Sequence, residues 1–210
     1  MYNLPHHKEQ NQEEIIQFMK DHSFIFLTGS DVADKPVATQ VPVFIDEKGG
    51  RYFLTGHIMR NTDHHKAFEQ NKNVLAVFTG PHTYVSATWY TKPVGSTWNY
   101  MSVHAHGTIR IGDTNELKAI LQRLTLHYEN GNTESTTVFD NLPAEYTERM
   151  MKAIVPFEIE INDLQHVFKL SQDRDEKSYD NIIQQLKQKD GDAKTIAVIM
   201  EKRKSKVFPS

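Results

Sequence analysis

A chain of 210 residues, 38% apolar and 24% charged, has enough material for a sizeable core and is not a disordered segment. A net charge of −3 argues against a dominant nucleic-acid function, and the absence of cysteine excludes disulfides, cysteine-ligated zinc and thiol catalysis. No apolar run approaches the ~20 residues that span a bilayer, and residues 1–10 lack a signal-peptide layout, so a cytoplasmic protein without membrane contact is expected.

Asn11 and Glu14 have the spacing of a capping box, and Ile15, Ile16, Phe18 and Met19 follow as the apolar side of a first helix. Residues 23–28 predict a buried strand, residues 29–36 a turn, and residues 37–45 a second strand. There Pro42 removes a ladder donor and suggests an edge or bulge. Residues 46–50 (DEKGG) read as a hairpin connection into a third strand over residues 51–55. That strand is expected to stop at Gly56, with a short helix starting near Asn61 or Thr62. Strands over 74–79 and 83–87 are expected on either side of Gly80-Pro81-His82, and residues 89–96 form a loop carrying Pro93 and Gly95. Asp113 to Glu116 is a second cap signature, opening a helix whose stripe is Leu117, Ile120, Leu121, Leu124 and Tyr128. Pro143 fits a helix start, and Met150 and Met151 read as core filler. Strands over 154–161 and 167–171 follow. Tyr179, Ile182, Ile183 and Leu186 then mark one helix, Gly191 breaks it, and residues 193–200 resume it. Lys202, Arg203, Lys204 and Lys206 make a basic end. The close succession of strands favours an antiparallel barrel over a parallel α/β sheet.

The most informative stretch is residues 84–107, which holds both tryptophans. From residue 97 to 111 it is written in two-residue alternation. Asn99, Met101, Val103, Ala105, Gly107, Ile109 and Ile111 fall on one face and read as core. Trp98, Tyr100, Ser102, His104, His106, Thr108 and Arg110 fall on the other. That second face suits a planar polar ligand or a partner subunit. Packing against a neighbouring element is an equally open reading. Trp89 and Trp98 flank a loop that could close over a flat ring.

Arg60 precedes the helix expected near Asn61 or Thr62, so an arginine and unpaired helix amides could together cradle a phosphate. An ordinary N-cap beside an exposed arginine is the competing reading. His104 and His106 point the same way and could begin a metal site, but no third ligand follows at suggestive spacing, so no metal is expected. His64 and His65 read as surface residues of the short helix. There is no Walker loop and no Gly-x-Gly-x-x-Gly.

Several segments together resemble one family. They are Met1-Tyr2 with Pro5-His6, Gly56-His57 with Arg60-Asn61, and Val77-Phe78 with Gly80-Pro81-His82. Next come Tyr84-Val85-Ser86 with Trp89-Tyr90, Thr97-Trp98-Asn99-Tyr100, Val103-His104-Ala105-His106-Gly107, and Lys169-Leu170-Ser171-Gln172 with Arg174. In this order they resemble the PaiB-type FMN-binding negative transcriptional regulators, within the pyridoxamine-phosphate-oxidase-like split-barrel superfamily. Asp173 stands where that family usually has Asn, Ala87 where it has Pro, and His7 where it has an aromatic residue.

The resemblance implies an α+β, mainly β fold: an FMN-binding split β-barrel over residues 1–172 with peripheral helices, and a C-terminal helical segment over 173–210. It implies a homodimer with FMN at the subunit interface and a possible DNA partner. On this resemblance Arg60, Asn61 and Thr62 would hold the phosphate. Tyr84, Ser86, Trp98, Asn99 and Tyr100 would border the ring. His57, His104 and His106 would bond the ring edge or ribityl chain, and Lys169, Ser171, Gln172 and Arg174 would reach in from the partner subunit. The expected output is transcriptional regulation; the alternatives are an FMN-dependent oxidoreductase of unknown substrate and a haem-binding split barrel.

Overall fold

The computed structural model describes residues 1–2 and 4–209. Among them seven strands form one sheet: β1 (Phe24–Ser30), β2 (Pro36–Pro42), β3 (Phe44–Lys48), β4 (Arg51–Met59), β5 (Asn73–Val85), β6 (Thr97–Ile111) and β7 (Ile154–Lys169). Their order is β2-β1-β5-β6-β7-β4-β3, with β1 antiparallel to β2 and β5, and β4 antiparallel to β3 and β7. The helices are α1 (Gln12–Asp21), α2 (Asp63–Gln70), α3 (Thr114–Tyr128), α4 (Ala144–Ala153), α5 (Glu176–Lys187) and α6 (Asp192–Val207).

The chain forms two compact units. One gathers Met1–His22, Thr79–Val103 and Gln165–Ser210; the other gathers Ser23–Phe78 and His104–Leu164. Strands β5, β6 and β7 each contribute residues to both.

Local chemistry accounts for the ends of these elements. Asn11 caps α1 by accepting from the Glu13 amide, but Glu14 does not close a capping box; the Asn11 amide goes to Glu9 instead. Asp113 and Glu116 form the expected box at α3. Gly49 and Gly50 both have positive φ, which suits the two-residue β3–β4 turn. Pro42 ends edge strand β2, so the expected strand over 37–45 is two strands. β1 is buried on only one face, with Phe24 and Phe26 turned outward.

Three strands run further than the sequence reading expects. β4 passes straight through Gly56, where a Cβ would lie 2.8 Å from the Phe157 ring and 2.9 Å from the Pro42 carbonyl. β5 runs through Gly80, where a Cβ would lie 2.6 Å from the Phe18 ring. At both sites the glycine lets an aromatic ring close onto an unbroken strand. β7 continues through the polar run at residues 162–166.

The core of the first unit includes Phe18, Met19, Phe168, Leu170, Tyr179, Ile182, Ile196 and Met200, all nearly or fully buried. Phe18 packs on Phe168 at 5.1 Å, and the buried Tyr179 hydroxyl donates to the Met200 carbonyl at 3.0 Å. In the second unit Leu117, Leu121, Phe139 and Ile154 cluster, with Met151 against them.

Candidate functional site

In the second unit the Arg60 corner is built as a double helix cap. Asn61 adopts a left-handed backbone conformation, with φ 64°, and its amide donates to Nδ1 of His65 at 3.2 Å. Thr62 caps α2; its hydroxyl accepts from the His65 amide and donates to the Met59 carbonyl. Asp63 takes the His64 amide at 2.8 Å, and that bond holds its carboxyl below the usual range. Arg60 faces the end of a different helix. Its Nε donates to the Lys152 carbonyl at 3.1 Å, one Nη donates to Ile154 at 3.2 Å, and its amide donates to Ala153 at 2.8 Å. These are carbonyls that α4 leaves at its C-terminus. His65 is buried, not a surface residue, and burial pushes its pKa down.

His57 lies on β4 with Pro156 as its register partner, and burial lowers its pKa. Burial also lowers that of His104. His106 is exposed and lines an open groove of about 470 Å³ with Thr28, Ser30, Asn71, Asn73 and Asn162, all uncharged hydrogen-bonding side chains. A second cleft, of about 210 Å³, lies beside Arg110 and Arg123. Its charges are already paired, Arg110 with Glu116 and Glu158, Arg123 with Asp46. Among the described residues no three His, Asp or Glu side chains gather as a metal-binding group.

In the first unit β5 and β6 present an aromatic surface. Trp98 is 54% exposed and Tyr84 45% exposed, their rings edge-on at 6.1 Å, with His82 at 6.2 Å from Trp98. Tyr100 is half-buried. The outward face of β6 is therefore as expected, except that Ser102 is buried. Trp89 does not share that surface's openness: Asn181 of α5 holds its carbonyl, and the Lys189 ammonium stands 4.9 Å over its ring. Ser86 caps the short turn at Ala87–Trp89.

The turn after β7 lies in the same unit. Ser171 is buried with φ 62°, and its hydroxyl donates to Oδ1 of the fully buried Asn99 at 2.9 Å. The Asn99 amide nitrogen faces the Met200 sulfur at 3.5 Å. Gln172 accepts from the Leu170 amide at 2.7 Å and donates to the Phe168 carbonyl, while His7 Nδ1 lies 3.3 Å from its oxygen. Asn99, Ser171 and Gln172 are thus engaged in shaping the turn. Lys169 and Arg174 are presented by it. Lys169 donates to the Thr97 hydroxyl, and the Arg174 guanidinium lies 4.8 Å from the centre of the Tyr90 ring. Burial lowers the Lys169 pKa, with Asp173 opposing and Arg174 adding to the effect. Asp175 then caps α5, accepting from Ser178 and from the Thr91 hydroxyl, which brings its carboxyl down to about 2. The Asp175–Thr91 contact, and the role of Tyr90, escape a sequence reading; the Trp89-Tyr90 pair is the one local signal.

This sheet, with its aromatic face and hydrogen-bonded turn, is a split β-barrel. A family model described as "Putative FMN-binding domain" matches residues 1–163. The chain is 34% identical to the protease synthase and sporulation protein PAI 2 of Bacillus subtilis (strain 168), over 98% of this chain and 99% of that protein. It belongs to the PaiB-type family of flavin-binding split barrels. Among solved structures it resembles the FAD- and haem-binding protein of Mycobacterium smegmatis, with TM-score 0.57 and 15% identity over 77% of this chain and 72% of that one. It also resembles a conserved hypothetical protein of Mycobacterium tuberculosis, with TM-score 0.57 and 12% identity over 80% and 91%. These two likenesses concern the fold alone. No helix among the described residues is long and apolar enough to cross a membrane.

Proposed function

We propose that the chain binds FMN as a homodimer and that the bound flavin governs a regulatory output on transcription. The observation that carries the ligand reading is the pairing, within one unit, of an aromatic surface (exposed Trp98 and Tyr84, half-buried Tyr100) with Lys169 at the end of β7 and Arg174 in the turn after it. An indole and two phenols suit a flat heterocycle, and two cations suit its anionic tail. His57, His104 and His106 stay as candidates for its polar edges. When bound, the flavin supplies any redox chemistry, and the protein orients it and tunes its environment. The resemblance would put the phosphate at the Arg60–Asn61 corner, and the turn after β7 brings Lys169 and Arg174 as further cations.

One observation favours a second reading, an FMN-dependent oxidoreductase with no DNA contact. The basic end is not free: Arg203 pairs with Glu9 and Glu14, Lys204 with Glu176 and Asp180, and Lys206 with Glu14. A tail neutralised in this way contributes little to phosphate-backbone binding.

The absorbance spectrum of the purified protein, with mass identification of any released chromophore, tests the ligand. A flavin spectrum is expected; a Soret band would sink the proposal in favour of haem. Light scattering during size-exclusion chromatography tests the dimer. A promoter-DNA gel shift that weakens with rising salt supports regulation, whereas sustained NAD(P)H oxidation without any shift supports the enzyme.

A further inference from the structure

The 210 Å³ cleft beside Arg110 and Arg123 lies wholly in the second unit and shares no residue with the flavin reading. Its helical wall is one stripe of α3 at i, i+3, i+4, i+7 spacing: Glu116, Ala119, Ile120 and Arg123. Its other wall crosses four adjacent strands, with Arg110 on β6, Glu158 on β7, Thr55 on β4 and Asp46 on β3. Thr55 and Glu158 are register partners, and Pro156 adds an apolar surface. Ile120 belongs to the apolar stripe of α3, yet it stays half-buried where Leu117 and Leu121 are buried.

Ion pairs fix both arginines. Arg110 bonds Glu116 through both Nη atoms, at 2.7 and 3.0 Å, and reaches Glu158 at 3.1 Å. Arg123 bonds both oxygens of Asp46, at 2.7 and 2.8 Å, and its guanidinium lies 3.9 Å over the Phe44 ring. Arg123 beside Asp46, Arg110 beside Glu116 and Lys48 beside Glu158 hold these carboxyls below their ordinary range, so all three are ionised at neutral pH. The lining therefore sets three carboxylates against two guanidiniums. An anion would face a net negative wall whose arginines are already neutralised. A cation would find carboxylates already taken by Arg110, Arg123 and Lys48.

We infer that this cleft binds a small neutral aromatic molecule, of one ring or two fused rings, with its face on the Arg123 guanidinium and its edges on Ala119, Ile120 and Pro156. A guanidinium over an aromatic face is a favourable contact. Arg123 makes one already with Phe44, which does not line the cleft, so its second face is left for a ring. The volume falls below the ~300 Å³ at which drug-sized ligand pockets begin, too small for a mononucleotide.

The test is calorimetric titration of the full-length protein with indole and with indole-3-acetate, which carries the same ring and a negative charge. Wild type is expected to bind indole saturably, with a Kd on the order of 1 mM or tighter. Indole-3-acetate should bind about fivefold or more weakly. Ala119→Phe puts a ring into the cleft from an exposed helix position, so it should abolish indole binding while the melting temperature stays within about 2 °C. Arg123→Lys keeps a cation opposite Asp46 but loses the flat plane, and should weaken indole about threefold. If Ala119→Phe melts lower than that, Arg123→Lys carries the test alone. The inference is overturned if wild type shows no saturable indole binding, or if indole-3-acetate binds as tightly as indole. It is equally overturned if indole binds both variants as it binds wild type, because the ring then sits elsewhere on the protein.

Discussion

Arg203, near the end of α6, grips Glu9 ahead of α1, so a side chain from each end of the chain meets in one ion pair that also engages Glu14. The Arg203 side chain is 15% exposed and that of Glu9 7% exposed, so neither charge is freely solvated. Burial by itself would raise the Glu9 pKa, but the Asn11 amide and the guanidinium outweigh it and hold the carboxyl at about 2, against an ordinary 4.5. A carboxylate depressed in the folded state stabilises fully above its unfolded value, and that contribution fades as pH falls from about 4.5 toward 2. A shift of this size corresponds to about 3 kcal/mol. Urea unfolding at several pH values should therefore show a loss of stability below pH 4.5 that Glu9→Gln flattens. Arg203→Ala should cost roughly 3 kcal/mol at pH 7, because it strands a buried carboxylate.

Arg60 holds two carbonyls at the end of α4 with its guanidinium. Truncation removes both bonds and leaves those carbonyls to water. Arg60→Ala should lower stability by about 1–2 kcal/mol, with the loss shown by faster hydrogen exchange through α4. An Arg60→Ala protein as stable as wild type, with unchanged protection in α4, would show that the cap contributes nothing.

Gly56 stands where β4 meets both Phe157 and the Pro42 carbonyl. A methyl group there approaches a backbone oxygen at 2.9 Å, and that oxygen belongs to a strand end that cannot rotate away. Gly56→Ala is expected to destabilise by about 1–3 kcal/mol in denaturant unfolding. Gly49→Ala instead meets open space and should lose only what its positive φ, 59°, demands, about 1 kcal/mol.

Much of the fold is legible because local chemistry states it. The caps at Asn11 and Asp113, the Gly49-Gly50 turn and the alternation of β6 are written in neighbouring residues. The misreadings share one cause. Gly56, Gly80 and the polar stretch at 162–166 look like strand ends in isolation, yet β4 and β5 continue because rings distant in sequence close onto the two glycines, and β7 continues as a sheet neighbour of β6. The candidate site behaves alike. Motif residues are visible by type, but partners are not: Arg60 bonds carbonyls 92 and 94 residues away, and Asn99 accepts from Ser171. Nothing near Arg60 in the chain announces that its guanidinium caps α4, and nothing near Tyr90 announces Arg174.

Trp98 is the residue whose loss should test where the flavin ring lies. It stands 54% exposed on the outward face of β6, touching Tyr84 only edge-on at 6.1 Å. Removing an indole that packs so little of the protein should change stability by less than about 1 kcal/mol. If the heterocycle stacks there, the same change removes about 0.5–1.5 kcal/mol of aromatic contact beyond the lost area. Trp98→Ala should therefore weaken FMN and riboflavin about threefold to tenfold alike, since both carry the ring, while Trp98→Phe recovers part of the loss. Fluorescence titration of both flavins against Trp98→Ala and Trp98→Phe reads the ring contribution. If Trp98→Ala leaves both affinities unchanged, or affects only FMN, the ring does not lie on this surface.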